Sequence, residues 1–451
     1  MKKALCFLLF LLCWLIPAAA FDFGGFFWAD YYALVDDSTW YTSERVRFTV
    51  APELKWKSES GLWDAHLSAV AYIQPLETDE FLFPPAIIEQ ERIIREAYLS
   101  LHLGMFDIDL GQKFVTWGMV DYLSPLNVVN HSDTTVLSVD NLLEGSLPDV
   151  LAQLRIYPVD GLSIELIYAP FLQPNLFDIE DIDVVENFTL PSGSTYDINA
   201  SFKDKRIPLF SEWAHSFYSA VHYSSYIFDL IVSYSTFLDK NPDFDLSAIN
   251  ETETAGPTYT VTGTAYPTYT RVHNIGAGSS FYLGNFLISA DSAIKITKDW
   301  QGSVIEIRNS ELFTALQVER LFWNRVRAHL NLYHRYVINY DTPLESPYSP
   351  PIEAFVVYVI EPYLLQKPQS QYYFLAHLDS HFFRERLVLG VNFVYGYTEQ
   401  GYYLVPRITY KASDRVAFSA GADVWVDGDS GSFLGRNETR DNFFIRVQYA
   451  W

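Results

Sequence analysis

The last ten residues, Asn442-Phe443-Phe444-Ile445-Arg446-Val447-Gln448-Tyr449-Ala450-Trp451, decide the fold. Side chains alternate across a β-strand, so Phe443, Ile445, Val447, Tyr449 and Trp451 share one oily face. Asn442, Phe444, Arg446, Gln448 and Ala450 share the other, which is mostly polar. A strand with one greasy and one wet face suits a sheet that meets hydrocarbon on one side and water on the other.

The same period runs back along the chain. Val416, Phe418, Ala420, Ala422, Val424 and Val426 alternate with Arg415, Ser419, Gly421 and Asp423. Leu387, Leu389, Val391, Phe393, Tyr395 and Tyr397 alternate with Arg386, Gly390, Asn392 and Gly396. Val326, Ala328, Leu330 and Leu332 alternate with Arg325, Arg327, His329 and Asn331. Further strands are predicted over Arg45–Trp56, Asp64–Gln74, Arg95–Leu103, Phe106–Val115, Arg271–Leu283 and Phe286–Thr297. The expected fold is all-β: a transmembrane antiparallel β-barrel of about 16 to 18 strands, with an in-folded constriction loop. A soluble β-sandwich also alternates, but its strands are shorter and its apolar face less consistent. Tight turns are expected at Tyr282–Asn285 and Tyr410–Arg415, and long polar outer loops at Phe171–Trp213, Leu238–Thr270, Tyr340–Ile352 and Asp427–Asp441. Trp28, Tyr31, Tyr32, Trp40, Tyr41, Trp56 and Trp63 suit an aromatic girdle at the membrane interfaces.

The N-terminus gives the route. Lys2 and Lys3 precede an uncharged apolar stretch, Ala4 to Ile16, and then Pro17 and Ala18-Ala19-Ala20. This is the pattern of a cleavable secretory signal over residues 1–20, with Phe21 the first mature residue and 21–451 a single barrel unit. Both cysteines, Cys6 and Cys13, lie inside that leader, so the mature chain is expected to have no thiol chemistry. Losing Lys2 and Lys3 with no acidic residue takes the formal net charge from -24 to -26. So acidic a chain is a poor match for nucleic acid, whose phosphates need a basic surface. It is not a disordered acidic chain either, because 31 Tyr, 33 Phe and 11 Trp supply abundant apolar surface.

One region breaks the alternation. Arg95-Glu96-Ala97-Tyr98, Gly111-Gln112-Lys113, Trp117-Gly118-Met119-Val120-Asp121, Asn127 to Asn130 and Asp133 stand within a short span. These motifs resemble an uncharacterised family of large Gram-negative outer-membrane barrels related in style to alginate-export and porin-type channels. That family carries an R-E-x-Y strand, a G-R-Q strand and a W-G-x-x-D turn followed by N-P-x-D. The resemblance covers about sixty residues in motif detail and the rest as general barrel pattern. The chain departs from it with Lys113 after Gln112 and with His131 where the family usually has proline. The resemblance implies a bacterial outer-membrane location and a channel architecture.

From Gly118 to Pro148 the chain is rich in Asp, Asn and Ser, and a strandless connection of that length is uncommon unless functional. Either it folds into the lumen and narrows it, offering Asp121, Asn127, Asn130, Asp133, Asp140 and Glu144 to the path, or it runs outward as a surface loop, which the sequence allows equally. Inward-parity arginines Arg45, Arg47, Arg95, Arg155, Arg325, Arg327, Arg335 and Arg446 are candidates for a basic wall opposite, since charged rings set pore selectivity. The alternative is that they pair with inward Glu96, Asp107, Asp109, Glu165 and Asp423 and steady a wet lumen.

Chemistry-bearing motifs are few. Gly428-Asp429-Ser430-Gly431 has the residues of the chymotrypsin-like nucleophile turn, but these are also ordinary turn residues. His66, His102, His329, His334 and His377 are expected on separate strands with no spacing that selects one, and there is no H-E-x-x-H. Asp178-Ile179-Glu180-Asp181-Ile182-Asp183 reads as a solvated loop face rather than a Ca²⁺ loop. No enzyme activity, metal or cofactor is expected. The expected function is passive or weakly selective diffusion of small hydrophilic solutes. The alternatives are a barrel displaying its loops for adhesion and, more remotely, a barrel hydrolase. Expected partners are the bilayer, outer-leaflet glycolipid and the β-barrel assembly machinery, the last reading the strand that ends in Trp451.

Overall fold

The computed structural model describes residues 20–34, 43–77, 94–132, 146–175, 183–189, 195–202, 214–255, 258–302, 304, 307–340, 368–426, 434 and 441–451. Ala20–Leu34 (β1), Ser43–Lys57 (β2), and Trp63–Ala69 continued by Ala71–Glu77 (together β3) begin the main sheet. Ile94–Leu103 (β4), Phe106–Lys113 (β5), Asp149–Val159 (β6), Leu162–Ala169 (β7), Ser216–Ser224 (β8) and Phe228–Leu238 (β9) follow. Arg271–Leu283 (β10), Phe286–Ile296 (β11), Glu311–Phe322 (β12), Val326–Val337 (β13), Ser370–Phe382 (β14), Leu387–Gly396 (β15), Gly401–Lys411 (β16), Val416–Val426 (β17) and Asn442–Ala450 (β18) complete it.

Each strand pairs antiparallel with the next, and β18 returns to β1 in register from Phe26↔Ala450 to Leu34↔Asn442. The main sheet is therefore a closed antiparallel barrel of 18 strands. Closure satisfies the backbone N–H and C=O groups of both terminal strands, the condition a sheet must meet in hydrocarbon. β3 is interrupted at Val70, and its two halves pair with Glu53–Lys57 and with Arg45–Val50 of β2. The expected strand Asp64–Gln74 is thus two pieces of one barrel strand.

Alternation follows the sequence. Phe443, Ile445, Val447 and Tyr449 are exposed on the outer face, while Phe444 is buried inside. On β13 Leu330 points out, and His329, Asn331 and Tyr333 are buried within; His329 and His334, expected on separate strands, share this one. The two ends differ. Turns close over 58–62, 104–105, 160–161, 225–227, 284–285, 323–325, 383–386 and 412–415 at one end, and the longer connections lie at the other, together with the four-residue turn 397–400. Exposed Tyr226, Tyr282, Trp323 and Phe383 mark the turn end, where an aromatic belt suits a headgroup boundary.

The girdle reading needs correction. Trp28 and Tyr32 face inward, where the Arg446 guanidinium stands over the Trp28 ring and the Tyr32 hydroxyl accepts from Arg47 and Arg446. Asp30 between them fixes the inward parity of this part of β1, so the nearest aromatics serve a charged inner cluster. Trp40 and Tyr41 lie outside the described residues.

The long connections also hold more structure than expected. Asp183–Thr189, Thr195–Phe202, Ile249–Ala255, Thr258–Thr268 and Asp243–Asp245 form a second, five-stranded sheet. Thr195–Phe202 runs parallel to Thr258–Ala265, so the connections β7–β8 and β9–β10 are stitched together. The Thr, Tyr and Val content of Thr258–Thr268, with Val261 and Ala265 fully buried, explains why a segment that reads as polar loop becomes strand.

Leu330, 55% exposed near the middle of β13, sits on the outer face. Leu330→Arg is expected to cost about 2–4 kcal/mol of unfolding free energy in lipid vesicles, and Leu330→Ala much less. Denaturant titration in vesicles checks this; an Arg variant as stable as the parent would mean that this face does not meet hydrocarbon.

Candidate functional site: a loop pinned inside the barrel

Beyond Lys113 the chain turns inward instead of outward. Glu96 Oε1 accepts from Phe114 N at 3.2 Å, starting the turn. The Asn130 side chain then closes the segment on itself, accepting from Val115 N (3.0 Å) and donating to Val115 O (2.6 Å). The root is tied by Asp149. Its Oδ1 accepts from His131 N and Nδ1 at 3.2 and 2.7 Å, and its Oδ2 pairs with Lys240 Nζ at 2.5 Å. Lys240 also donates to Val129 O. Burial pushes the Lys240 ammonium below the usual lysine range, and Asp149 opposes that shift.

The loop has an oily underside. Val115, Trp117, Leu126 and Val129 are buried against Leu151, Ile167, Tyr218, Ile231, Phe237, Val272 and Ala293, inward side chains of β6 to β11. Val120 packs with Ala315, Tyr333 and Leu375 of β12, β13 and β14. Burying each such large side chain contributes about 1.5–3 kcal/mol, and the five together offset a substantial part of the entropy cost of ordering the loop. The inner wall is shaped to receive it. A Cβ on Gly276 of β10 would strike Leu126, and one on Gly278 would strike the Asp291 carboxylate.

Asp291 on β11 is the central anchor. Its carboxylate accepts from Met119 N (2.9 Å), Val120 N (2.9 Å) and Ser124 Oγ (2.7 Å). Gly118 makes this approach possible, with φ of 114° and no room for a Cβ between Ser124 and Asp291. Around it, Trp117 Nε1 donates to Glu165 Oε1 at 2.9 Å, and Tyr333 donates to Tyr122 O at 2.6 Å. Asp121 N donates to Gln317 Oε1 at 2.9 Å, and Gln317 Nε2 returns a bond to Asp121 Oδ2 at 2.7 Å. Burial pushes the Tyr122 phenol above its usual range.

The exposed side of the loop faces a cavity of about 310 Å³. Arg95 from β4, Asp121, Asn127 and Asn130 all line it, with Tyr122 and Leu375. Four residues singled out from sequence therefore meet at one place, although they come from a strand and a loop. Asn130 serves mainly to brace the loop, and Arg95 lies over the Phe114 ring at 5.1 Å.

The remaining arginines do not gather there. Arg47 and Arg446 both pair with Asp30, at 3.3 and 2.6 Å. Arg155 pairs with Asp109 (2.9 Å), Arg335 with Glu311 (2.5 Å) and Arg327 with Glu319 (3.7 Å). Arg325 lies in the turn between β12 and β13. Of the ion pairs just given, the one to Asp109 involves a carboxylate named from sequence. Glu165 instead holds Trp117 and Gln153, Asp107 holds His102, and Asp423 accepts from Tyr403. Asp133, Asp140, Glu144, Ser430 and the side chain of Arg45 lie outside the described residues, as do 1–19.

Sequence reasoning missed Asp291, Gln317 and Lys240 as anchors. A signal existed for the first: two glycines two residues apart on β10, which mark a close approach by something else.

No family model and no curated protein matches this sequence. Solved structures do. A BenF-like porin from Pseudomonas fluorescens Pf-5 is similar, with 8% identity, 97% of this chain and 98% of that one covered, and a TM-score of 0.52. Pseudomonas aeruginosa OpdK with vanillate is also similar, at 9% identity, 96% and 98% coverage and a TM-score of 0.49. Salmonella typhi OmpF in complex with daunomycin shows 10% identity, 96% and 98% coverage and a TM-score of 0.44. The likeness is one of fold.

Asp291→Ala is expected to release the loop while leaving the barrel closed. Amide exchange at Met119 and Val120 should accelerate roughly 100-fold, the equivalent of about 3 kcal/mol of charge-assisted hydrogen bonding. Unchanged protection there, with strand signals intact, would remove Asp291 from its role as anchor.

Proposed function

We propose that this chain is a bacterial outer-membrane channel through which small hydrophilic solutes diffuse, its lumen narrowed by residues 114–132. The observation that carries this reading is the loop itself. It is held inside a closed barrel against the β6–β14 side, with its polar edge turned to the cavity of Arg95, Asp121, Asn127 and Asn130. A barrel that served only to display outer loops would have no need of such an inward anchor.

The apolar outer face supports a bilayer as the surrounding medium. The turn-and-loop asymmetry supports short turns toward the periplasm and long loops, next to outer-leaflet glycolipid, outside. The closing strand ending in Trp451 is a fit for the assembly machinery, and residues 1–20 for a cleaved export signal. The overall fold resembles that of the BenF-like porin, which supports the architecture.

Selectivity in this reading comes from a few side chains at the narrow point. Most inward arginines named above neutralise a neighbouring carboxylate, so their fields largely cancel beyond a few ångströms. Arg95 from the strand and Asp121 from the loop face the same small space.

Single-channel recording of the refolded chain in a planar bilayer tests the function. Stepwise, salt-dependent currents are expected. Asp291→Ala should raise the step size severalfold, and Arg95→Ala should shift reversal potentials toward cation preference. A demonstrably folded barrel without conductance in both the parent and Asp291→Ala would end the channel reading.

A further inference from the structure

Where the loop tip meets the wall, three ligand-type side chains converge from three segments. Asp121 comes from the loop, Glu319 from β12 and His329 from β13, and one ligand atom from each lies within 4.8 Å of the others. His329 Nδ1 is 3.3 Å from Asp121 Oδ2 and 3.8 Å from Glu319 Oε2. His329 is only 6% exposed, and its Nδ1 lies in ion-pair range of both carboxylates without meeting either in good hydrogen-bond geometry. A buried ring nitrogen left without a hydrogen bond calls for an explanation. A coordinated cation supplies one.

We propose that Asp121, Glu319 and His329 bind a divalent transition-metal ion of the zinc class at the narrow part of the lumen. Around a tetrahedral ion with bonds of about 2.0–2.1 Å, neighbouring ligand atoms lie about 3.3 Å apart; His329 Nδ1 stands 3.3 and 3.8 Å from the two carboxylates, and all three ligand atoms lie within 4.8 Å, so small side-chain movements would close them on an ion. Two carboxylates offset the charge of a divalent ion, and an imidazole nitrogen selects zinc-like ions over Mg²⁺ or Ca²⁺. The supporting shell is in place. Gln317 orients the Asp121 carboxylate at 2.7 Å, and Arg327 sits 3.7 Å from the other Glu319 oxygen. The Tyr122 and His377 rings meet the His329 ring edge-on, with centroids 6.4 and 5.6 Å away. Access is open, because the Asp121 side chain is 54% exposed. A bound ion would tie the loop tip to two strands and place a positive charge beside the solute path.

The test is calorimetric titration of the untagged, refolded chain in detergent with ZnCl₂, with Mg²⁺ present in excess. One ion per chain is expected, and Co²⁺ in its place should give the visible absorption of a low-symmetry site. Gln317→Ala is expected to weaken binding by roughly 10–100-fold. Glu319→Gln and His329→Gln should abolish the stoichiometric site, with heat-modifiable gel migration confirming that each variant is folded. Should His329→Gln fail to fold, Glu319→Gln alone decides. Binding that survives the folded variants, equal competition by Mg²⁺, or no binding at all would overturn the proposal. The readout is independent of conductance, so failure here and failure of the channel reading are distinguishable.

Discussion

A sheet in hydrocarbon has nowhere to leave an edge. Each unpaired N–H or C=O costs several kcal/mol without water, so the pairing of β18 with β1 is the constraint on which the rest of this structure depends. Once Phe26↔Ala450 to Leu34↔Asn442 are in register, every strand has two neighbours. The period of two then leaves no choice of face: Ile445 and Val447 must point out, and Arg446 must point in.

Closure creates an interior that has to be satisfied in its turn, and the chain does so in two ways. On the side of β18, β1 and β2, Asp30 is shared by Arg47 and Arg446, so charge is balanced by charge. From β6 to β14 the inner wall is partly apolar, and a water-filled lumen would leave Ile231, Val272 and Tyr333 wet. The loop covers them. Its backbone amides would otherwise be buried without partners, and Asp291, Gln317 and Tyr333 meet them one by one. Anchor and oily seat are complementary, since removing either leaves the other exposed or unpaired.

Much of this is legible in the sequence because period two is a strong signal when it recurs over many strands. The outer face of β18 reads directly from Phe443 to Tyr449, and so does the break in alternation after Lys113. The partners are harder to read. Asp291 stands about 170 residues from Met119 in sequence, and nothing local announces that the two meet; closure of the barrel brings them together. Parity tells that Arg47, Arg155 and Arg446 point inward but not that each finds a carboxylate on an adjacent strand. Trp28 and Tyr32 mislead for a related reason, since an aromatic near a strand end suits an interface and a charged inner cluster equally well. The second sheet was hidden by composition, as its Thr-rich strands look like polar loop until they pair with one another.

The closed cylinder can be tested without reference to transport. Ala29 and Val447 face each other across the seam between the first and last strands, and opposed Cα atoms in such pairs lie about 4.5–5.5 Å apart, within disulfide range. In a leaderless chain, which lacks Cys6 and Cys13, Ala29→Cys with Val447→Cys should oxidise to a single intramolecular disulfide on folding in detergent, as read by mass spectrometry of the digested protein. A folded double variant that keeps two free thiols, or that links only between molecules, would contradict a sealed barrel.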